Sequence, residues 1–141
     1  MITRRSALMA AVATSALVAG PALAEDPIKI GNVMPYSGPA SAYGTIGKTI
    51  NAYIEMTNAK GGVNGRQIEF ISYDDGYSPP KMVEQVRRLV EQDEVTALFQ
   101  TLGTPTNTAI HKYVNAKRVP HLFLATGAAK WDDPENFPMT M

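Results

Sequence analysis

Val95-Thr96-Ala97-Leu98-Phe99-Gln100-Thr101-Leu102-Gly103-Thr104-Pro105-Thr106-Asn107 passes from an apolar run, through a turn, into a helical pattern. The run 95–99 is short and lacks two-residue alternation, which reads as a strand buried on both faces. Beyond the turn, Ala109, Ile110, Tyr113 and Val114 recur at helical spacing. Thr104 is placed to cap that helix, and Pro105 then falls at the first helical position, where its missing N–H leaves no bond unmade. A helix start carries unpaired N–H groups and the positive end of a dipole, so a carboxylate or a phosphate fits there.

The same strand–turn–helix unit recurs on either side. Ile28 to Met34 and residues 67–73 read as strands, and residues 120–125 as a fourth. Between the first two, Ile46, Ile50, Tyr53 and Ile54 form one apolar stripe, and the helix stops at Lys60-Gly61-Gly62. Ser78-Pro79-Pro80 starts the next helix, with Met82, Val83, Val86, Leu89 and Val90 as its buried face and Glu84 and Arg88, four apart, set to pair outside. Residues 126–136 read as an irregular loop, and 137–141 as the start of something extended. Helices alternating with strands of this kind predict an α/β fold, an open parallel sheet with helices on both faces. Right-handed crossovers bring the loops 35–44, 74–78, 102–107 and 125–131 to one edge, where such sheets bind ligands.

The N-terminus has a different layout. A short stretch with Arg4 and Arg5 precedes an apolar run, Ala7 to Ala19, then Gly20-Pro21 and the small-x-small pattern Ala22-Leu23-Ala24. Residues 1–24 therefore read as a secretory signal peptide, too short to span a membrane. Thr3-Arg4-Arg5 leaves both the general and the twin-arginine export routes open. Removing this segment takes away two of the 13 basic residues and none of the 13 acidic ones, so Glu25 to Met141 carries a formal charge of about −2. That balance offers no field for nucleic acid, and Arg87-Arg88 and Lys117-Arg118 read as solvated helix faces. With no cysteine, disulfides, thiol chemistry and a cysteine-borne lipid anchor are excluded.

The converging loops carry hydroxyls (Ser37, Ser41, Thr104, Thr106, Thr126), aromatics (Tyr36, Tyr43, Tyr77, Trp131) and the Asn107 amide, equipment for a small anionic or zwitterionic ligand. Turns are rich in such residues whatever their role, so it is the convergence that gives the set meaning. Enzyme patterns are poor: there is no dinucleotide fingerprint, P-loop or nucleophile elbow. His111 and His121 sit away from the loops and from any nucleophile candidate, and do not make a metal pair. Asp74-Asp75, at the end of the second strand, is the main rival, a carboxylate pair able to hold Mg²⁺; turn hydrogen bonding is the simpler use. No metal, cofactor or catalysis is expected.

Ile28-Lys29-Ile30-Gly31 leading to Ser37-Gly38-Pro39 and Ala42-Tyr43-Gly44, the run Asn58-Ala59-Lys60-Gly61-Gly62-Val63-Asn64-Gly65-Arg66, Tyr73-Asp74-Asp75 with Ser78-Pro79, and Val86-Arg87-Arg88-Leu89-Val90 together resemble the leucine-binding-like, type I periplasmic binding proteins that serve ABC transporters. The resemblance covers residues 28–128. It implies two α/β lobes closing on a ligand, delivery to an inner-membrane ABC permease, and a periplasmic location. It also implies that Thr104 grips the ligand carboxylate, that the Ala125 carbonyl accepts from its ammonium, and that Tyr43 lines the pocket. The chain departs from the pattern at Thr126-Gly127, where amino-acid binders of this family carry a threonine at the position of Gly127, and at Thr104-Pro105-Thr106, which replaces a serine-rich turn. Both changes tolerate a carboxylate without an amino group, such as an aromatic or aliphatic acid. In length, residues 25–141 are expected to form an incomplete N-terminal lobe, with the second lobe outside this sequence and a sheet edge left open. A solute receptor is the leading expectation. A ligand-sensing domain of the same fold and an exported α/β enzyme depending on Asp74 or Asp75 are the alternatives.

Overall fold

The computed structural model describes residues 26–141; the expected leader, residues 1–24, lies outside the described residues. Four parallel strands, β1 (Ile28–Met34), β2 (Ile68–Asp74), β3 (Ala97–Phe99) and β4 (His121–Leu122), form one sheet in the order β2-β1-β3-β4. The helices α1 (Gly44–Ala59), α2 (Pro79–Glu91) and α3 (Thr104–Ala116) connect them in turn. The chain moves from β1 to one side and then crosses back over it to β3. With right-handed crossovers α1 therefore covers one face and the mutually packed α2 and α3 the other. The expected open α/β architecture is thus present, and its direction of winding reverses between β1 and β3. Ligands of such sheets bind in the crevice at that reversal, beyond the strands' carboxyl ends.

The core lies between the sheet and the α2–α3 layer. Met82, Val86 and Leu89 of α2 meet Val33 of β1, Leu98 of β3 and Ile110 and Val114 of α3, all nearly inaccessible to water. Each such side chain contributes roughly 1.5–3 kcal/mol by leaving water. The α1 face is looser: Tyr53, on the predicted stripe, is 66% exposed, and Ile50, Ile54, Ile30 and Phe99 line an open apolar groove. The predicted Glu84–Arg88 pair does not form; the Arg88 guanidinium lies 4.5 Å from the Tyr73 ring centroid, a cation–π contact that draws it toward the sheet. The Lys60-Gly61-Gly62 stop occurs as expected, with Gly61 and Gly62 at φ 105° and 73° closing the helix onto Asn58 and Thr57 carbonyls.

Two strands are shorter than their apolar runs. The expected 95–99 and 120–125 contract to Ala97–Phe99 and His121–Leu122 because Gln100 (φ 50°) and Phe123 (φ 53°) both turn left-handed. These residues follow the paired Phe99 and Leu122, so both strands kink at the same level and pairing resumes at Leu102 and Ala125. Asn32, wholly buried in β1, holds the kink: its Nδ2 donates to the Phe99 and Gln100 carbonyls at 2.7 and 3.2 Å. Its Oδ1 accepts from Ser72 Oγ at 2.7 Å, and Ser72 in turn bonds the Tyr36 hydroxyl at 2.6 Å. Beyond β4, residues 139–141 run alongside it in parallel, with His121 N–H donating to the Met139 carbonyl at 2.7 Å.

Candidate functional site

The turn after β3 departs from the sequence expectation in one respect that matters. Helix α3 begins at Thr104, with Gly103 as the cap residue and Pro105 second. Gly103 sits at φ 104°, a conformation nearly confined to glycine, and its carbonyl accepts the first helical N–H, from Asn107, at 3.2 Å. Thr104 therefore does not cap; its hydroxyl instead bonds the Thr126 hydroxyl at 2.7 Å. The N–H groups of Thr104 and Thr106 find no acceptor among the described residues, and Pro105 has none to offer.

Thr104 borders a cleft of about 340 Å³ lined also by Tyr43, Ile46, Tyr77, Leu102, Gly103, Ala125, Thr126 and Gly127, whereas Thr106 is fully buried behind it. All five sequence-predicted site residues, Tyr43, Thr104, Ala125, Thr126 and Gly127, lie along it. They come from the β1–α1, β3–α3 and post-β4 loops, and the β1 and β3 contributions flank the reversal of the sheet. The Leu102 N–H ties this turn to the Val33 carbonyl at 3.3 Å, and the Gly103 N–H ties it to the Ala125 carbonyl at 3.0 Å. One lone pair of the Ala125 carbonyl is thereby engaged and one is left. Thr126 Oγ1 also accepts the Ala128 N–H at 3.3 Å. Gly127 has no left-handed backbone, and a Cβ added there would meet nothing within 4 Å. No Asp, Glu, Lys, Arg or His lines the cleft, so an anion here would rest on hydroxyls, the free N–H of Thr104 and the dipole of α3.

Several loop residues that looked like site candidates are engaged elsewhere. Asn107 and Thr106 are fully buried: Thr106 Oγ1 bonds back to the Leu102 carbonyl, and Asn107 Oδ1 accepts from Thr101 Oγ1 at 2.5 Å. His121, expected to stand clear of any nucleophile, has its Nε2 2.6 Å from that same Thr101 hydroxyl. The pair is sealed from solvent, and burial, followed by the charge of His111, drives the His121 imidazole down to about 3, so the ring is neutral and structural. Ser37 donates to Asp74 Oδ2 at 2.5 Å, and Tyr36 bonds Ser72. Trp131 borders a neighbouring hollow of about 520 Å³ that shares only Thr126 with the cleft.

Asp74 and Asp75 bond to the turn that follows them. Asp74 Oδ1 accepts the N–H groups of Ser37 and Gly76 at 3.1 and 3.0 Å. Burial pushes its carboxyl up, but hydrogen bonds from the Ser37 hydroxyl and from the backbone outweigh that and hold it below the usual carboxylate range. Asp75 is raised, first by burial and further by the charge of Asp74, while the Tyr77 N–H, 2.9 Å from its Oδ1, works the other way. Among the described residues no group of three or more acidic or histidine side chains is placed to hold a metal. Four cleft residues were absent from the predicted set: Ile46, Leu102, Gly103 and Tyr77. Tyr77 and Gly103 stood in the converging loops, but nothing in their spacing marks which loop side chains turn inward.

A family profile described as "Periplasmic binding protein" matches residues 27–141. Among curated proteins the chain is similar to the leucine-, isoleucine-, valine-, threonine-, and alanine-binding protein of Pseudomonas aeruginosa, with 38% identity over 111 residues covering 78% of this chain and 30% of that protein. It is also 30% identical over 124 residues to the Leu/Ile/Val-binding protein homolog 7 of Brucella suis, covering 87% of this chain and 31% of that one. The fold matches a possible leucine/isoleucine/valine-binding protein from Rhodopirellula baltica at TM-score 0.74 and 28% identity, covering 84% of this chain and 32% of the other. It matches a solute binding protein of an ABC transporter from Rhodopseudomonas palustris, in complex with 3,4-dihydroxy benzoic acid, at 0.62 and 27%, covering 73% and 28%. The chain thus spans about a third of the length of the proteins it matches. On the match across residues 27–141 and on the shared parallel sheet, the chain belongs to the periplasmic binding protein family.

Proposed function

We propose that residues 25–141 form the N-terminal lobe of the solute-binding component of an ABC uptake transporter. On this reading residues 1–24 direct export to the periplasm, and the protein hands its ligand to an inner-membrane permease without catalysis. The ligand is a branched-chain amino acid or a related carboxylate, with aromatic acids within range. One observation carries the reading: the Thr104 hydroxyl and the unpaired N–H of Thr104 stand together at the start of α3, in a cleft lined by no Asp, Glu, Lys, Arg or His. A carboxylate placed there accepts charge-assisted bonds of roughly 1.5–3 kcal/mol each. The relatives support both ligand types, since one is named for branched-chain and small amino acids and another was solved with a dihydroxybenzoic acid. At Gly127 the chain leaves open space where a hydroxyl partner for an ammonium would stand, which favours a ligand whose amino group is dispensable. Isothermal titration of the protein with leucine, valine and benzoate tests this; heat of binding for at least one is expected, and silence for all carboxylates would refute it.

A further inference from the structure

We propose that Tyr77 sets the selectivity of the cleft, favouring aromatic over saturated carboxylates. The inference rests on the carboxylate reading above and adds which side chain meets the ligand beside its carboxylate. Tyr77 lines the cleft from the β2–α2 loop, with its backbone at φ 62°, a region that bulky residues rarely occupy. Asp75 holds it there: the Tyr77 N–H donates to Asp75 Oδ1 at 2.9 Å, and the Asp75 carbonyl accepts the Ser78 N–H at 3.0 Å. Asp75 is itself wholly buried, so the anchor is rigid.

A second constraint acts from the other side. A Cβ added at Gly103 would come within 2.6 Å of Tyr77 Cε2, so the ring lies against bare backbone at the start of α3. A strained backbone on one loop and a glycine on another both hold this ring in one place. Packing alone requires neither, because a side chain in ordinary backbone conformation fills space as well. The ring's hydroxyl finds no protein partner among the described residues. Since the ring lines the cleft against Gly103, the residue before Thr104, ligand atoms next to a carboxylate bound at Thr104 come up against the aromatic side chain. Tyr43 borders the same cleft from the β1–α1 loop and is 58% exposed. A flat, unsaturated group presents π surface to such walls, and a puckered one does not.

The test compares benzoate with cyclohexanecarboxylate, which match in charge and size and differ in flatness. Isothermal titration is run on the wild-type protein, Tyr77→Phe and Tyr77→Asn. Asparagine adopts the left-handed region readily, so the last variant removes the ring without adding backbone strain. Wild type is expected to prefer benzoate, Tyr77→Phe to keep the preference, and Tyr77→Asn to reduce it about three- to tenfold, the range of one aromatic contact. Should Tyr77→Asn not fold, Tyr77→Gly takes the same backbone freely and gives the same comparison. Equal weakening for both acids, no change, or a wild-type preference for the saturated acid overturns the role of Tyr77 while leaving carboxylate binding in place. Failure of wild type to bind any carboxylate overturns the carboxylate reading, and this inference with it.

Discussion

Replacing Asn32 with leucine removes a polar side chain of similar volume from the middle of the sheet. Three hydrogen bonds go with it: those to the Phe99 and Gln100 carbonyls and the one from Ser72 Oγ. At about 1 kcal/mol net for each bond, with about 1 kcal/mol more for carbonyls left unpaired in a partly buried place, the loss comes to about 3–4 kcal/mol. That is a large share of the roughly 5–15 kcal/mol that separates folded from unfolded domains. For a domain of this size it lowers Tm by about 12–20 °C. Ser72→Ala removes the middle of the same chain of bonds and is expected to cost about 1–2 kcal/mol. The double variant should fall short of the sum by more than about 0.5 kcal/mol, because the two share a bond. Urea titration followed by the fluorescence of Trp131, the sole tryptophan, reads all three values. Because Asn32 ties down the kink that leads into Gly103 and Thr104, its loss should also weaken ligand binding. A cost below about 1 kcal/mol for Asn32→Leu would refute the claim that this network holds the turn.

Gly127→Thr is expected to fold normally, since the added Cβ meets nothing within 4 Å. It should raise the affinity for leucine relative to 4-methylpentanoate, its analogue without the amino group, by up to about tenfold, the scale of one hydrogen bond to a charged group at a partly exposed site; titration of both ligands checks it. Acid should destabilise the protein through His121, whose folded pKa of about 3 lies below its unfolded value near 6.5. Its contribution is fully present above pH 6.5 and declines by at most about 1.4 kcal/mol per pH unit as pH falls toward 3, because only the unfolded state takes up the proton. The lowered Asp74 acts in the same direction at lower pH, and the raised Asp75 opposes it. Urea titrations at pH 7 and pH 5 should show this loss, and His121→Gln should reduce it, leaving the part that His111, also lowered by burial, contributes in the same direction.

The sheet was legible because its strands and helices differ in period and punctuation. Ile28–Met34 ends at Pro35, and α2 shows its buried face directly as Met82, Val86 and Leu89. Thr104 came into view from the helix start as well as from the family resemblance, whereas the roles of Ala125 and Tyr43 rested on the resemblance and the convergence of the loops. What stayed hidden was backbone conformation at non-glycine residues. Gln100, Phe123 and Tyr77 take left-handed angles that their side chains do not announce; Gln100 is held by Asn32 across the sheet and Tyr77 by Asp75 two residues before it. For the same reason the cap of α3 was displaced by one residue: the capping preference of threonine yields where Gly103 alone can make the turn. The fate of Asn107 and Thr106 was equally hidden, because a turn amide that faces a ligand and one that closes the turn look the same in sequence.

The most direct test of the central claim is isothermal titration of Thr104→Val against the wild-type protein with benzoate and with leucine. Valine keeps the shape of threonine and removes the hydroxyl that stands 2.7 Å from Thr126 Oγ1 at the start of α3. If this turn grips a carboxylate, every carboxylate ligand that wild type binds should bind about 10- to 100-fold more weakly, the loss of one charge-assisted bond, with the fold unchanged. Unchanged affinity for a ligand that wild type binds would remove the turn from the site and contradict the account.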